Sequence, residues 1–376
     1  MGRCSVSKFG VLLVSSDGHQ KSHMQGFQNE PRCEIIAVSD SSDAPDYVIE
    51  RNKILAKEVG VPYIEKLDDA LVRDDIDIAS VSAEVARRPT TAIQCAKAGK
   101  HVYLDKPAAG SINDMNKLAG VVSESGVVCQ MFSSSNSPWA AEAKELVSSG
   151  KAGKVLAVHA DTLVAKAIPA DLPEGQVRRE KGDLSKPLAE TPIGGQGDCK
   201  RELMCWCVYP LSIILPLLDM KVKTVFGITR NYFSLKHLNN DVEDFSALLV
   251  TLEDGTVVTV SGSRIPAKSH PFNSWNRMMI IGSEAVFAFD PNGSAIETFI
   301  GYTPEVADSK SVISWNAVQP ETHGWTVDIG GFIDCIENGT VPDVDAKVAA
   351  DVTEVMLAGY VSASKGVPVE LPLKLD

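Results

Sequence analysis

A chain of 376 residues, 44% of them hydrophobic and 23% charged, is long enough for two domains with cores of their own and has no composition typical of disorder. Its net charge of −13 argues against nucleic acid and anionic membranes as partners, because both would repel it and the sequence contains no basic patch. The sequence shows neither an N-terminal apolar leader nor a segment long enough to cross a bilayer, so we expect a cytoplasmic protein.

Short apolar runs alternate with helical patterns over the first third of the chain. The runs predict strands buried on both faces at 9–16, 34–40, 76–82, 101–105 and 127–132. Three of the helical patterns stop at Gly60, Gly99 and Gly126, where a left-handed residue commonly ends a helix. The repetition of strand, helix and glycine predicts an α/β domain with a doubly wound parallel sheet over residues 1–128.

The pattern changes after about residue 130. One more helix precedes runs that alternate and turn as antiparallel strands do, at 155–165, 224–233, 245–265, 278–290 and 294–302. A polar stretch from Ala170 to Asp198 is too long for a simple connection and predicts a loop over a site or at an interface. We predict that 129–376 forms an α+β domain with a large, mainly antiparallel sheet.

The cysteines predict a reduced protein, because eight in 376 residues are too few for a disulfide framework. Three of them, Cys199, Cys205 and Cys207, lie within nine residues, and a thiolate metal site is the alternative to packed thiols there. Strong zinc patterns contain two spaced pairs, and no second pair or histidine cluster accompanies these three. We therefore predict that no metal is bound.

The turn after the first strand, "VSSDGHQKSH", is where a doubly wound sheet binds phosphates. The usual G-x-G-x-x-G is absent, but Gly18 permits close backbone approach, and Ser15, Ser16 and the helix amides can bind a pyrophosphate. Asp40 closes the second strand, 22 residues after Gly18, where a carboxylate accepts hydrogen bonds from a ribose and repels the extra phosphate of NADP. These residues predict NAD as the cofactor, with NADP less favoured. The alternative is an unliganded turn and a solvated Asp40.

The segment "AGKHVYLDKPAA", residues 98–109, resembles the AGKHVxxEKP link of the Gfo/Idh/MocA family of NAD(P)-dependent sugar and cyclitol oxidoreductases. The similarity continues through 111–128, 143–160, 242–257, 280–290, 330–344 and 362–373, so it spans nearly the whole chain. The resemblance implies an N-terminal Rossmann domain that binds NAD and a C-terminal domain for substrate binding and oligomerisation. It also implies a homodimer or homotetramer.

The resemblance implies that Lys106 lies at the nicotinamide and the substrate, and that Asp105 replaces the family's usual Glu. An ammonium at the carboxyl end of a strand can hydrogen-bond a reacting hydroxyl and lower the pKa of a neighbouring base. We also place Ser82 at the cofactor, because it ends the preceding strand. Ser111 and Asp114 form an S-x-x-D pattern, which predicts the cap of the next helix.

The family's second catalytic segment has the form D-x-G-x-H, and "CWCVY", residues 205–209, is its best match. Tyr209 then takes the place of the catalytic His and Cys205 that of the Asp, one helical turn apart on one face. A Tyr beside Lys106 is a plausible acid or base, because a nearby ammonium stabilises phenolate and lowers the pKa of the phenol from about 10. The alternative for Tyr209 is a core aromatic before Pro210.

Further substrate contacts are predicted from charge and aromaticity. Arg88 stands where many family members have His, and Arg201 and Glu202 precede the candidate helix, where they can contact hydroxyls or a carboxylate. Trp206 can stack on a sugar ring, and Cys205 faces the same pocket in this interpretation. A solvated helix start and a core Trp are the alternatives.

Taken together, these residues predict an NAD-dependent oxidoreductase that acts on a secondary hydroxyl of a sugar, cyclitol or sugar derivative. Its partner would be a small sugar or polyol substrate. Two alternatives stay open, because a fold does not by itself establish chemistry. One is a sensor or scaffold that binds a nucleotide or sugar without turnover. The other is a glycoside-cleaving enzyme that uses tightly held NAD without net oxidation.

Overall fold

The computed structural model describes residues 8–165, 201–232, 234, 237–238, 242–265, 274–289, 295–300, 310–314 and 324–374. The chain folds into two compact units: unit 1 is Met1–Asn136 with Thr322–Ala350, and unit 2 is Ser137–Glu321 with Asp351–Asp376. Unit 1 therefore includes residues 129–136 and the later segment Thr322–Ala350.

Unit 1 contains a six-stranded sheet in which all neighbouring strands are parallel, in the order β3-β2-β1-β4-β5-β6. The strands are β1 (Phe9–Val14), β2 (Cys33–Ser39), β3 (Tyr63–Ile64), β4 (Ile78–Val81), β5 (His101–Leu104) and β6 (Cys129–Met131). This order confirms the predicted doubly wound sheet. The sequence pattern missed β3, because two residues are too short to show a period.

Helices connect these strands: α1 (Gln20–Asn29), α2 (Asp46–Val59), α3 (Leu67–Leu71), α4 (Arg88–Lys97) and α5 (Ile112–Ser125). Gly60 and Gly126 end α2 and α5 with φ of 82° and 68°, and Gly99, with φ of 75°, follows α4. These three helix ends confirm the prediction, because an L side chain rarely adopts such angles. The predicted cap is also present, since the Asp114 amide donates to Ser111 Oγ at 3.3 Å.

Unit 2 contains a nine-stranded sheet in the order β14-β13-β12-β11-β7-β10-β9-β8-β15. Its strands are β7 (Val155–Ala165), β8 (Val222–Arg230), β9 (Phe245–Leu252), β10 (Val257–Ile265), β11 (Ser274–Gly282), β12 (Ala285–Phe289), β13 (Ala295–Ile300), β14 (Lys310–Ser314) and β15 (Val369–Glu370). Neighbours pair antiparallel except β7 and β10, which are parallel. The mainly antiparallel sheet is thus confirmed, with one parallel pair at its centre.

Four further helices accompany these strands in the described ranges: α6 (Pro138–Ser148), α7 (Val208–Leu218), α8 (Gly324–Asn338) and α9 (Ala346–Lys365). Helix α8 belongs to unit 1, whereas α9 starts in unit 1 and continues into unit 2. Within the described ranges, no helix combines the length and the apolar character that crossing a membrane requires.

A buried carboxyl group attaches α8 to the first sheet. Asp328 is 1% exposed; the Tyr103 hydroxyl donates to its Oδ2 at 2.6 Å, Gln130 Nε2 to the same oxygen at 2.9 Å, and Asn136 Nδ2 to Oδ1 at 3.0 Å. Burial raises the pKa of Asp328 to about 7, although the three hydrogen bonds favour the charged form. These three hydrogen bonds hold α8, and with it the segment Thr322–Ala350, within unit 1.

Asp328 makes the stability of the protein depend on pH. Because its pKa rises from 3.8 to about 7 on folding, the folded state holds the proton more tightly, so stability falls as pH rises from about 4 to 7. At 1.36 kcal/mol per pKa unit, the loss approaches about 4 kcal/mol. The Asp328→Asn variant should lose less stability than the wild type between pH 5 and pH 8 in urea unfolding.

The variant must be compared with the wild type because His23 gives the stability of the protein the opposite dependence on pH. Burial lowers the pKa of His23 from 6.5 to about 3, so its contribution to stability is lost as pH falls below 6.5. The difference between variant and wild type isolates Asp328. The exposed Asp334 of the same helix provides the control, as Asp334→Asn should keep the wild-type slope. Equal slopes in wild type and Asp328→Asn would show that Asp328 titrates normally.

Candidate functional site

The turn between β1 and α1 lies at the carboxyl end of the parallel sheet. Ser15 and Gly18 have positive φ, 66° and 55°, and Gly18 is exposed. A Cβ at Gly18 would collide with a carboxylate oxygen of Asp105, so only glycine permits this close approach. The turn is therefore pressed against the residue that precedes Lys106.

Asp105 is fully buried and joins the turn to the end of β5. Its Oδ2 accepts from the His19 amide at 3.1 Å and from Ser82 Oγ at 2.9 Å, and its Oδ1 lies 2.9 Å from His19 Nδ1. Burial by itself would raise the pKa of Asp105, but the charges of His19 and Arg88 and the hydrogen bond from His19 hold it well below 3.8. The carboxylate is thus a fixed negative charge at the start of α1.

Arg88 holds the turn that carries Lys106. Its guanidinium is 2% exposed, with Nε donating to Ala83 O at 2.9 Å, Nη1 to Pro107 O, and Nη2 lying 3.3 Å from Asp105 Oδ2. Lys106 is 3% exposed, and its peptide bond to Pro107 is cis. The Arg88 guanidinium is thus enclosed by Ala83, Asp105 and Pro107. The predicted contact of Arg88 with substrate stays a prediction.

The three predicted cofactor hydroxyls differ in their partners. Ser16 Oγ donates to Asn52 Oδ1, whereas Ser82 Oγ lies within hydrogen-bond distance of two acceptors, Asp17 O at 2.8 Å and Asp105 Oδ2 at 2.9 Å. Ser15 Oγ is buried and has no hydrogen-bond partner in the described part of the chain. A phosphate group fits an exposed glycine turn at a helix N-terminus that also holds an unpartnered hydroxyl, and these residues therefore fit the pyrophosphate of NAD.

Asp40 lies at the end of β2, as predicted, but its carboxylate is 1% exposed and already has partners. Oδ2 accepts from Asn52 Nδ2 at 2.9 Å, and Oδ1 accepts from the Ser41 amide at 2.8 Å and from Arg87 Nη1 at 3.1 Å. No sequence spacing indicated Arg87 as a partner of Asp40, because Arg87 lies in the loop before α4, far along the chain from β2.

A one-turn π-helix, Leu203–Cys207, leads directly into α7, so the segment matched to the family's second motif begins in the π-helix and ends with Tyr209 in the first turn of α7. Cys207 lies against Gly262 of β10, where a Cβ would come within 2.7 Å of its Sγ, and burial raises the pKa of the Cys207 thiol to about 12. Cys205 is buried and Tyr209 is half-buried, with its ring 6.2 Å from that of Trp206. π turns inside helices occur frequently at functional sites.

Glu202 is completely buried at the start of this turn. It accepts hydrogen bonds from His237 Nε2 at 2.8 Å, from Arg264 Nε at 2.9 Å and from Trp206 Nε1. Its charge is therefore balanced inside unit 2, and it is part of a polar cluster rather than the solvated helix start considered above. Its contact with substrate stays a prediction.

Arg201 belongs to a second buried cluster. Its Nη1 lies 3.7 Å from Glu243 Oε2, and its guanidinium lies 5.3 Å from the centre of the Tyr360 ring. Burial raises the pKa of Glu243, while Arg201 and the hydrogen bond from the Tyr360 hydroxyl oppose the shift. No sequence spacing indicated His237, because its contacts are long-range. The same holds for the other members of the two clusters, Arg264, Glu243 and Tyr360.

The predicted catalytic residues lie in different units, Lys106 in unit 1 and Tyr209 in unit 2, so their pairing stays a prediction. The structure does bring Gly18, Ser82 and Asp105 together. Cys199 and the predicted loop from Ala170 to Asp198 lie outside the described residues. Among the residues that the structure describes, no group of three or more His, Cys, Asp or Glu side chains is placed to hold a metal ion.

Comparison with known proteins agrees with the geometry of unit 1. Residues 9–133 match the family model GFO_IDH_MocA, described as an oxidoreductase family with an NAD-binding Rossmann fold. Scyllo-inositol 2-dehydrogenase (NAD(+)) of Bacillus subtilis (strain 168) is 23% identical over 99% of this chain and 97% of its own length. The match therefore extends through both units.

Two further proteins are similar to this chain. A glycosyl hydrolase family 109 protein of Shewanella baltica (strain OS155 / ATCC BAA-1091) is 23% identical over 78% of this chain and 65% of its own length. The crystal structure of scyllo-inositol dehydrogenase from Lactobacillus casei, with bound NAD(H) and scyllo-inositol, has a TM-score of 0.71 at 17% identity and covers 97% of this chain and 99% of that one. At this identity the structural likeness establishes the fold alone.

Proposed function

We propose that this chain is a member of the Gfo/Idh/MocA family of NAD-binding oxidoreductases and a dehydrogenase acting on a secondary hydroxyl of a sugar, cyclitol or sugar derivative. The observation that carries this proposal is the placement of Lys106 directly after Asp105, whose buried carboxylate fixes the end of β5 against the phosphate-binding turn. The relative matched over nearly the whole chain, a scyllo-inositol dehydrogenase, supports the substrate class.

In this proposal the residues of unit 1 bind and orient the cofactor. The amides of the Gly18 turn and Ser15 Oγ hold the pyrophosphate, while Asp105 keeps the turn in place through the His19 amide. Bound NAD supplies a nicotinamide ring that accepts or returns a hydride. NAD is preferred over NADP, since carboxylates surround the end of β2.

Lys106 and Tyr209 are the proposed catalytic residues. The Lys106 ammonium hydrogen-bonds the reacting oxygen and favours its deprotonation, and Tyr209 accepts the hydroxyl proton in the oxidative direction. Cys205 replaces the family's Asp in this assignment, so the usual carboxylate partner is absent from that position. Arg201, Glu202 and Trp206, beside the π turn, are the proposed substrate contacts together with Cys205; Arg88, in unit 1, is proposed as a further contact with the substrate.

The proposal is tested with purified protein in two steps. Calorimetry should show NAD binding, and incubation with NAD and a panel of cyclitols and sugars, scyllo-inositol included, should produce the absorbance of reduced nicotinamide. Turnover that depends on one polyol supports the proposal. NAD binding without turnover on any member of a broad panel would instead identify a sensor or scaffold.

A glycoside-cleaving enzyme is the second candidate, favoured by the match to the glycosyl hydrolase family 109 protein. Such an enzyme would retain NAD through purification and release the aglycone of a chromogenic glycoside with no net reduced nicotinamide. The two candidates are therefore separated by whether reduced nicotinamide accumulates in proportion to product. Only the dehydrogenase requires one NAD per turnover.

We also propose a cytoplasmic homodimer or homotetramer. Cys33, Cys95 and Cys129 are buried and unpaired, which suits a reducing compartment. In unit 2, Leu156, Leu249 and Met279 from three strands of the large sheet are exposed, between 36% and 47%, as expected for a surface covered by another copy. Sedimentation analysis gives the number of subunits.

A further inference from the structure

Arg87 precedes α4 in the chain, but its guanidinium group lies at the end of β2, where a doubly wound sheet binds the adenosine ribose of a dinucleotide. Its Nη1 donates to Ser41 Oγ at 2.7 Å and to Asp40 Oδ1 at 3.1 Å. The Arg87 side chain is 13% exposed, and that of Asp40 is 1% exposed. Of these two paired side chains, the guanidinium is therefore the one with surface left for a ligand.

Both oxygens of the Asp40 carboxylate already accept hydrogen bonds. Arg87 and the Ser41 amide donate to Oδ1, and Asn52 Nδ2 donates to Oδ2. Asn52 is itself fixed by Ser16 of the phosphate-binding turn. Direct contact between Asp40 and a ribose would require the side chains that cover Asp40 to move, because the Asp40 side chain is 1% exposed.

Carboxylates surround the Arg87 guanidinium. Besides Asp40, Asp43 Oδ1 lies 3.2 Å from Nη1, and Glu84 Oε2 lies 2.7 Å from Nη2. Three carboxylates around one guanidinium leave two negative charges in excess, which repels the 2′-phosphate of NADP. Guanidinium is nevertheless the side-chain group that binds phosphate best, through paired N–H donors.

We propose that Arg87 determines the choice between NAD and NADP. Asp40 and Glu84 hold its guanidinium and cancel its charge, so the protein prefers NAD without a direct contact from Asp40 to the ribose. Neutralising either carboxylate removes one negative charge and one charged contact of the guanidinium, so that Arg87 can turn toward the 2′-phosphate and bind it. This inference rests on the proposed function, since it requires a dinucleotide at the carboxyl end of the unit 1 sheet.

The test measures affinity by calorimetry, with NAD and NADP as separate ligands. Asp40→Asn and Glu84→Gln should each strengthen NADP binding at least tenfold and leave NAD binding within threefold. Adding Arg87→Leu to either variant should abolish the gain. Asp46→Asn is the matched control, because it removes the same charge from the exposed start of α2 and should change NADP affinity less than threefold.

Several outcomes would overturn the inference. A tenfold loss of NAD affinity in Asp40→Asn, with NADP affinity unchanged, would show that Asp40 contacts the ribose directly. A gain in NADP affinity that survives Arg87→Leu would assign the effect to net charge alone. Glu84→Gln keeps the test decisive if Asp40→Asn does not fold, because Glu84 is partly exposed. Failure of the wild type and all variants to bind either nucleotide would instead reject the proposed function.

Discussion

Replacing Lys106 with alanine is expected to slow the chemical step by about 10²- to 10⁴-fold, the usual contribution of a positioned acid or base. The loss arises because the ammonium no longer stabilises the developing negative charge on the reacting oxygen. NAD affinity should stay within a few-fold, since the proposed pyrophosphate site is formed by other residues, the Gly18 turn and Ser15. Single-turnover kinetics on the identified polyol and calorimetry with NAD measure the two effects separately.

The exposed Lys97 at the end of α4 provides the matched control, and Lys97→Ala should retain wild-type rates. Tyr209→Phe should resemble Lys106→Ala, and the double variant should be little slower than either single one, because groups that act as one unit fail together. Near-normal turnover in Tyr209→Phe would reject the match of 205–209 to the family motif. A loss of NAD affinity equal to the loss of rate would make Lys106 a cofactor-binding residue.

The Asp105→Ala variant is expected to lose about 3–5 kcal/mol of unfolding free energy, because it leaves the buried Arg88 guanidinium without its carboxylate. Removal of the carboxylate also takes one hydrogen-bond acceptor away from the His19 amide and one from Ser82 Oγ. Because the folded pKa of Asp105 lies below its usual value, this contribution is fully present at neutral pH. Urea unfolding at pH 7 measures the loss.

A surface aspartate gives the scale for comparison. Asp75 pairs with Arg73 at 2.6 Å, but both side chains are exposed, so Asp75→Ala should cost at most about 1 kcal/mol. Asp105→Asn, which keeps the shape and removes the charge, should fall between the two. A loss of about 1 kcal/mol or less in Asp105→Ala would show that Arg88 finds other partners and that the carboxylate does not hold the turn.

The sequence by itself determined the fold class of both units. Short apolar runs separated by helices that end at Gly60, Gly99 and Gly126 are local features, and each reflects the burial or backbone angle of its own segment. The doubly wound pattern also predicted a phosphate site in the turn after β1, and the family resemblance predicted a catalytic role for Lys106. Both roles stay predictions, and both rest on neighbours along the chain or on strand ends.

Only the tertiary structure decided which polar and charged side chains contact one another. Arg87 contacts Asp40 across 47 positions of the chain, Arg264 contacts Glu202 across 62, and Asp328 contacts Tyr103 across 225. No period or spacing in a sequence predicts such pairings, because they depend on how separate elements pack. Burying a charge is costly unless a partner is buried with it, and only the folded chain brings the two partners together. Asp40 and Glu202 look like polar residues at element ends in the sequence. In the folded protein both are buried, and each accepts hydrogen bonds from side chains distant along the chain.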